Sequence, residues 1–122
     1  MLVWLLKQLS IPISYSVGAK ISFGDMGHYD PSSEYFIYEC DEFDRNFLHF
    51  HPHLSLITGV DYDHHEIYKS RKEYVEAFKQ FLGQSNQSLV WQSDLTANKF
   101  QLKPTDTLLD DNAILLNSLS NI

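Results

Sequence analysis

Cysteine is nearly missing from this chain: Cys40 is the only one in 122 residues. A single thiol excludes an internal disulfide and a cysteine-built zinc cluster, and it fits a reducing compartment. Bases are scarce as well, with nine Lys and Arg against sixteen Asp and Glu, for a formal net charge of −7. That balance argues against a sequence-nonspecific nucleic-acid binder, which needs clustered cations to release counterions. No apolar run approaches the roughly 20 residues that span a bilayer. The opening Met1-Leu-Val-Trp-Leu-Leu6 is short, and Lys7 follows it where a signal peptide carries its charge in front. The five glycines, Gly18, Gly24, Gly27, Gly59 and Gly83, make no Gly-x-x-x-x-Gly-Lys-Ser/Thr phosphate loop. There is no His-Glu-x-x-His, no internal repeat and no low-complexity linker. These absences leave a small, acidic, cytoplasmic domain with no nucleic-acid or membrane partner, and 43% hydrophobic residues are enough for one modest core.

What the chain does hold is concentrated. Ten acids and a single base, Arg45, lie between Asp25 and Glu66, and all six histidines fall in the same stretch: His28, His49, His51, His53, His64 and His65. Carboxylate and imidazole hold Mg²⁺, Mn²⁺ or Zn²⁺, and so acidic a run repels itself unless a cation is near. The plainer alternative is a solvated acidic surface with incidental histidines.

The element pattern is that of an α/β fold. Leu2, Leu5, Leu6 and Leu9 recur at helical spacing over residues 1–10, and Pro12 stops that helix. Ile13 to Val17 alternates like a strand. Residues 24–34 are rich in turn formers. Tyr35-Phe-Ile-Tyr38 is a continuous apolar run, predicted as a strand buried on both faces, and Leu54 to Val60 is a second such run. Ser70-Arg-Lys-Glu73 has capping-box form, followed by an apolar helical face of Tyr74, Ala77, Phe78, Phe81 and Leu82, with Gly83 as the expected stop. Ser88 to Gln92 reads as another buried strand. Phe100 and Leu102 suggest a further strand, and Ala113 to Leu119 a short strand or helix. The rhythm predicts a mostly parallel sheet with crossover helices.

Two of these strands end in charged clusters, Glu39-Cys-Asp-Glu-Phe-Asp44 and Asp61-Tyr-Asp-His-His65. Open parallel sheets bind ligands outside the carboxyl ends of their strands. Glu39 and His64 could there share a divalent ion, and Mg²⁺ would favour the carboxylate and keep several waters. Both residues could equally be plain loop residues after strands. His49-Phe-His51-Pro-His53 would place its histidines on one side of an extended segment, as a metal patch or a surface loop. Cys40 has no base placed for it by sequence, which favours packing over nucleophilic chemistry.

The two clusters together resemble the central domain of the Mur ligases, ATP-dependent enzymes that add amino acids to the peptidoglycan precursor. The resemblance rests on Glu39-Cys-Asp-Glu-Phe-Asp-Arg-Asn-Phe-Leu48, Pro52, Leu56-Ile-Thr-Gly-Val-Asp-Tyr-Asp-His64 and Tyr68. It is nearest the UDP-N-acetylmuramate–L-alanine ligase branch and the related murein peptide ligases. There the motifs read Glu-Ala-Asp-Glu-Ser-Asp-x-Ser-Phe and Thr-Asn-x-x-x-Asp-His. The match covers residues 1–95, is specific over 35–82 and leaves 96–122 weakly assigned, so that 1–122 reads as part of the ATP-binding domain. Departures are Cys40 for alanine, Phe43 for serine and Gly59 for asparagine, the last two in positions that touch nucleotide or substrate.

The resemblance implies that Glu39 binds Mg²⁺ (or Mn²⁺) near the γ-phosphate of ATP and that His64 binds a second ion. The carbamylated lysine of several relatives falls on Phe78, one residue short of Lys79. It also implies an interior piece of a ligase, in which Met1 is an internal methionine. The phosphate-loop strand and the UDP-sugar domain would come before it and the amino-acid domain after it. No cofactor-binding residue is then expected beyond the metal positions. The implied chemistry is phosphorylation of the muramyl carboxylate of UDP-N-acetylmuramate, then attack by L-alanine on the acyl phosphate, with Glu39 and His64 serving catalysis through their metals. The 122-residue chain alone is expected to be silent. An exposed sheet edge beside Tyr35–Tyr38 would favour self-association. A non-catalytic metal- or partner-binding module using residues 25–66 is the alternative.

Overall fold

A computed structural model describes residues 1–19 and 21–110 as two compact units, Met1–Asp41 and the residues from Glu42 onward. Each is a small α/β assembly built round its own three-stranded sheet.

In the first unit, helix α1 (Leu2–Gln8) precedes strand β1 (Ile13–Ser16). Strand β2 (Gly27–His28) returns antiparallel to β1, and β3 (Tyr35–Tyr38) lies parallel to it on the other side, giving the order β2-β1-β3. Register runs from Ile13 opposite Tyr35 to Ser16 opposite Tyr38. Val3, Ile13 and Tyr15 form the buried centre, with Leu6, Ile11, Val17, Ile21 and Ile37 packed on it. Pairing on both flanks makes β1 the buried strand. The strand predicted at Tyr35–Tyr38 exists, but its burial on both faces is corrected: it is the edge of this sheet, and Phe36 is 64% exposed. An unbroken apolar run does not distinguish a central strand from an edge strand that keeps one inward residue, here Ile37.

In the second unit a 3₁₀-type segment, Phe43–His49, opens the chain. Strands β4 (Leu54–Leu56), β5 (Gln87–Trp91) and β6 (Thr107–Leu109) are all parallel, in that order across the sheet. Helix α2 (Arg71–Gln84) makes the crossover from β4 to β5, and α3 (Gln92–Asn98) the crossover from β5 to β6. The Ser70 side chain accepts the Glu73 amide at 3.2 Å, while the Glu73 carboxylate reaches back to the Lys69 amide at 3.1 Å. This is a capping box shifted by one donor. The expected apolar face is buried in full: Tyr74, Ala77, Phe78, Phe81 and Leu82. Phe47 sits on it, with ring centroids 5.1 Å from Phe78 and 4.9 Å from Phe81.

Gly83 does not stop α2, which continues to Gln84. One glycine costs a helix only about 1 kcal/mol, and the buried face that precedes it, from Tyr74 to Leu82, offsets that. Phe100 and Leu102 form no strand; Phe100 is buried after α3, and the strand comes later as β6. The turn-rich stretch 24–34 contains the two-residue β2. The element expected at Ala113 to Leu119 lies outside the described residues.

Candidate functional site

Glu39 belongs to the first unit. Its amide donates to the Ser16 carbonyl at 3.0 Å, extending the β1–β3 ladder one residue past Tyr38. One carboxylate oxygen, Oε2, accepts the Gly18 amide at 3.1 Å. The side chain is thus held by backbone at the carboxyl ends of two parallel strands, and it is exposed.

His64 belongs to the second unit, in the turn after β4. Its backbone is left-handed, with φ of 55°, a conformation that non-glycine residues adopt at some cost. Its surroundings hold it there: the Asp63 side chain accepts its amide at 2.7 Å, and its carbonyl accepts the amides of Ile67 at 2.9 Å and Tyr68 at 3.0 Å. The ring is 30% exposed. Phe43 meets it edge-on at 5.2 Å between centroids. Nε2 lies 3.4 Å from Glu42 Oε1, and Nδ1 lies 3.8 Å from Glu66 Oε1.

Beneath His64 is a tyrosine network that sequence reasoning missed. Tyr68, fully buried, donates to the Glu42 carbonyl at 2.6 Å. Tyr74 donates to Glu42 Oε1 at 3.1 Å, and Tyr62 donates to the Tyr68 carbonyl at 2.7 Å. Burial pushes the Tyr74 phenol well above its ordinary pKa, and the Glu42 carboxylate beside it adds to the rise. Tyr74 reads in sequence only as part of an apolar helix face, and nothing in the linear order joins it to Glu42.

The parallel sheet of this unit has an open crevice outside the carboxyl ends of β4 and β5, of about 550 Å³, where open α/β sheets bind ligands. Thr58, Gly59, Asp61, Arg71, Trp91 and Asp94 line it. Asp94 Oδ1 accepts the Val60 amide at 3.3 Å, tying the mouth of β4 to α3. Arg71 donates to Asn98 Oδ1 at 2.7 Å. A Cβ added at Gly59 meets nothing within 4 Å. The asparagine of the family motif would therefore fit where this chain has glycine.

The remaining candidates are quickly placed. Phe78 is buried between Phe47 and Tyr74, and Lys79 is paired with Glu76 at 2.9 Å. His28, His49, His51, His53 and His65 are exposed, and Cys40 is half-buried. Among the described residues no three His, Cys, Asp or Glu side chains converge to hold a metal. A single exposed carboxylate such as Glu39 fits Mg²⁺, which takes one or two carboxylates and completes its shell with water and phosphate oxygens. An imidazole such as His64 is a softer ligand that suits Zn²⁺ or other transition metals better, and it would hold Mg²⁺ only beside carboxylate or phosphate oxygens. Among the described residues, no helix is long and apolar enough to cross a membrane.

No family model matches the chain. Curated proteins do. The UDP-N-acetylmuramate–L-alanine ligase of Lactobacillus delbrueckii subsp. bulgaricus is 36% identical over 93 residues, which is 75% of this chain and 20% of that protein. The protein of the same name from Lactobacillus helveticus is 36% identical over 84 residues, 68% of this chain and 18% of its own. That from Streptococcus pneumoniae is 32% identical over 82 residues, 66% of this chain and 18% of its own. The chain spans about a fifth of the length of the curated relatives it matches.

Proposed function

This chain belongs to the Mur ligase family, and from that premise we propose that it is part of the ATP-binding domain of a cytoplasmic, ADP-forming ligase joining L-alanine to UDP-N-acetylmuramate. The observation that carries the proposal is the 36% identity, over three quarters of the chain, to a protein of that name. In the reaction a muramyl carboxylate oxygen attacks the γ-phosphorus and ADP leaves. The amine of L-alanine then attacks the acyl phosphate, and inorganic phosphate leaves. Glu39 would hold one Mg²⁺ and His64 a second. Bound there, the ions supply charge neutralisation at the γ-phosphate and at the tetrahedral centre.

The chain's own residues prepare these positions. The Gly18 amide fixes Glu39 through a single oxygen. The turn at Asp63 to Tyr68 fixes the His64 backbone. The crevice by Thr58 and Gly59 is the surface on which a nucleotide or sugar would lie in the complete enzyme. ATP turnover by the chain alone is expected to be undetectable, because no phosphate-loop lysine stands in the sequence.

A chimera tests the reading: the 93 matched residues replace their counterparts in the Lactobacillus delbrueckii enzyme. ADP release that depends on UDP-N-acetylmuramate and L-alanine is expected, and Glu39→Ala or His64→Ala should each lower it about a hundredfold or more. A folded, active chimera indifferent to both substitutions would overturn the assignment.

A further inference from the structure

We propose that Glu42 is a positioning residue for His64, holding the neutral imidazole with its proton on Nε2 so that Nδ1 is the nitrogen offered to a cation. This rests on the reading of His64 as a metal position. The geometry is asymmetric. Glu42 Oε1 stands 3.4 Å from Nε2, with a side chain 25% exposed, whereas Glu66 Oε1 stands 3.8 Å from Nδ1, with a side chain 63% exposed. An ionised carboxylate only accepts, so the nearer ring nitrogen is favoured as the one that carries hydrogen. The better-buried carboxylate is the less screened of the two and sets the preference.

Glu42 is itself held from two sides. The phenol of Tyr74 donates to the same Oε1 at 3.1 Å, from a buried position on α2, and the phenol of Tyr68 donates to the Glu42 carbonyl at 2.6 Å. The Phe43 ring packs edge-on against the imidazole at 5.2 Å between centroids. The arrangement is that of a histidine whose Nε2 faces the nearer, better-buried carboxylate and whose Nδ1 faces only the more distant and exposed Glu66, itself an oxygen donor that could share a metal with Nδ1. Sequence gives no hint of it, because Glu42 lies in a run of acids and its helix partner is read as core.

The test is long-range ¹H–¹⁵N correlation NMR of the whole chain with its imidazoles neutral. The His64 signals are assigned from their loss in His64→Gln. One tautomer, with the proton on Nε2, is expected in the parent. Glu42→Ala should convert it to a mixture of both, Tyr74→Phe should do so in part, and Glu42→Gln, which keeps an acceptor oxygen, should restore most of the preference. A parent proton on Nδ1 overturns the proposal. So does an unchanged tautomer in a folded Glu42→Ala, or, if that variant does not fold, in Tyr74→Phe. Mn²⁺ titration of the same samples separates the two readings. Broadening of His64 that needs 10–100-fold more Mn²⁺ in Glu42→Ala supports both. No broadening in the parent rejects the metal reading, and the tautomer result then decides the role of Glu42 by itself.

Discussion

Replacing Asp106 with alanine should destabilise the second unit by about 3–4 kcal/mol. The Asp106 carboxylate is 1% exposed and accepts two backbone amides, those of Ser88 and Lys103, each at 2.8 Å. Lys103 Nζ lies 4.0 Å from it and donates to the carbonyls of Leu82 and Ser85, closing the end of α2. One carboxylate thus locks together the start of β5, the approach to β6 and the end of α2. Leaving two such amides without an acceptor costs about 1–3 kcal/mol each. The ion pair, whose lysine is 34% exposed, adds at most about 1 kcal/mol. Asp106→Asn keeps one acceptor oxygen and should cost about half as much. Urea unfolding reads this out: Trp91 lies in β5, and Trp4→Phe removes the only other tryptophan. With a urea slope of about 1–2 kcal/mol/M, the alanine variant should lose at least ~1.5 M of midpoint. A shift worth less than about 0.5 kcal/mol would refute the reasoning.

Three further outcomes follow from single residues. Gly59→Asn should change stability by no more than about 0.5 kcal/mol, because the added side chain enters open space at a negative φ; differential scanning calorimetry checks it. Gly24→Ala should destabilise the first unit measurably, since its Cβ would stand 2.8 Å from the Tyr15 hydroxyl, which donates to the Asp25 carbonyl from a buried ring; Trp4 fluorescence in urea reads the loss. Tyr74 gives a pH dependence. Its folded pKa is raised, so its contribution is complete below the unfolded value of about 10 and is lost as pH rises above it. Urea midpoints taken across that range should fall with pH, and less steeply in Tyr74→Phe.

Much of this architecture is legible in the sequence where one physical signal dominates. Helix α2 announces itself through Ser70, Glu73 and a five-residue apolar face, and the structure realises all of them. Strand β1 follows from the alternation of Ile13 to Val17, and β5 from a short apolar run. The run Leu54 to Val60, by contrast, is a strand only over Leu54–Leu56, where it is the edge of its sheet and partly buried, not covered on both faces. Helix α3 is not legible because Gln92-Ser-Asp-Leu-Thr-Ala-Asn98 is mostly composed of residues that favour caps and turns, and the β5–β6 crossover forms it nonetheless. β6 is three residues long, too short for periodicity to mark. The exposure of β3 depends on what lies beside it, which its own residues do not encode. In the site, the chemistry-bearing types Glu39 and His64 stand out by their place after apolar runs. The groups that hold His64 do not: Glu42, Tyr68 and Tyr74 meet only through the packing of α2 on the chain around Glu42.

The central claim, that Glu39 and His64 are metal positions of a Mur ligase ATP domain, is tested most directly by calorimetric titration with Mg²⁺ and Mn²⁺, with and without ATP. The samples are the chain itself, Glu39→Ala and His64→Ala. Saturable binding that each substitution weakens is the predicted result. Heats of dilution alone in a folded sample, or binding that neither substitution changes, would contradict it.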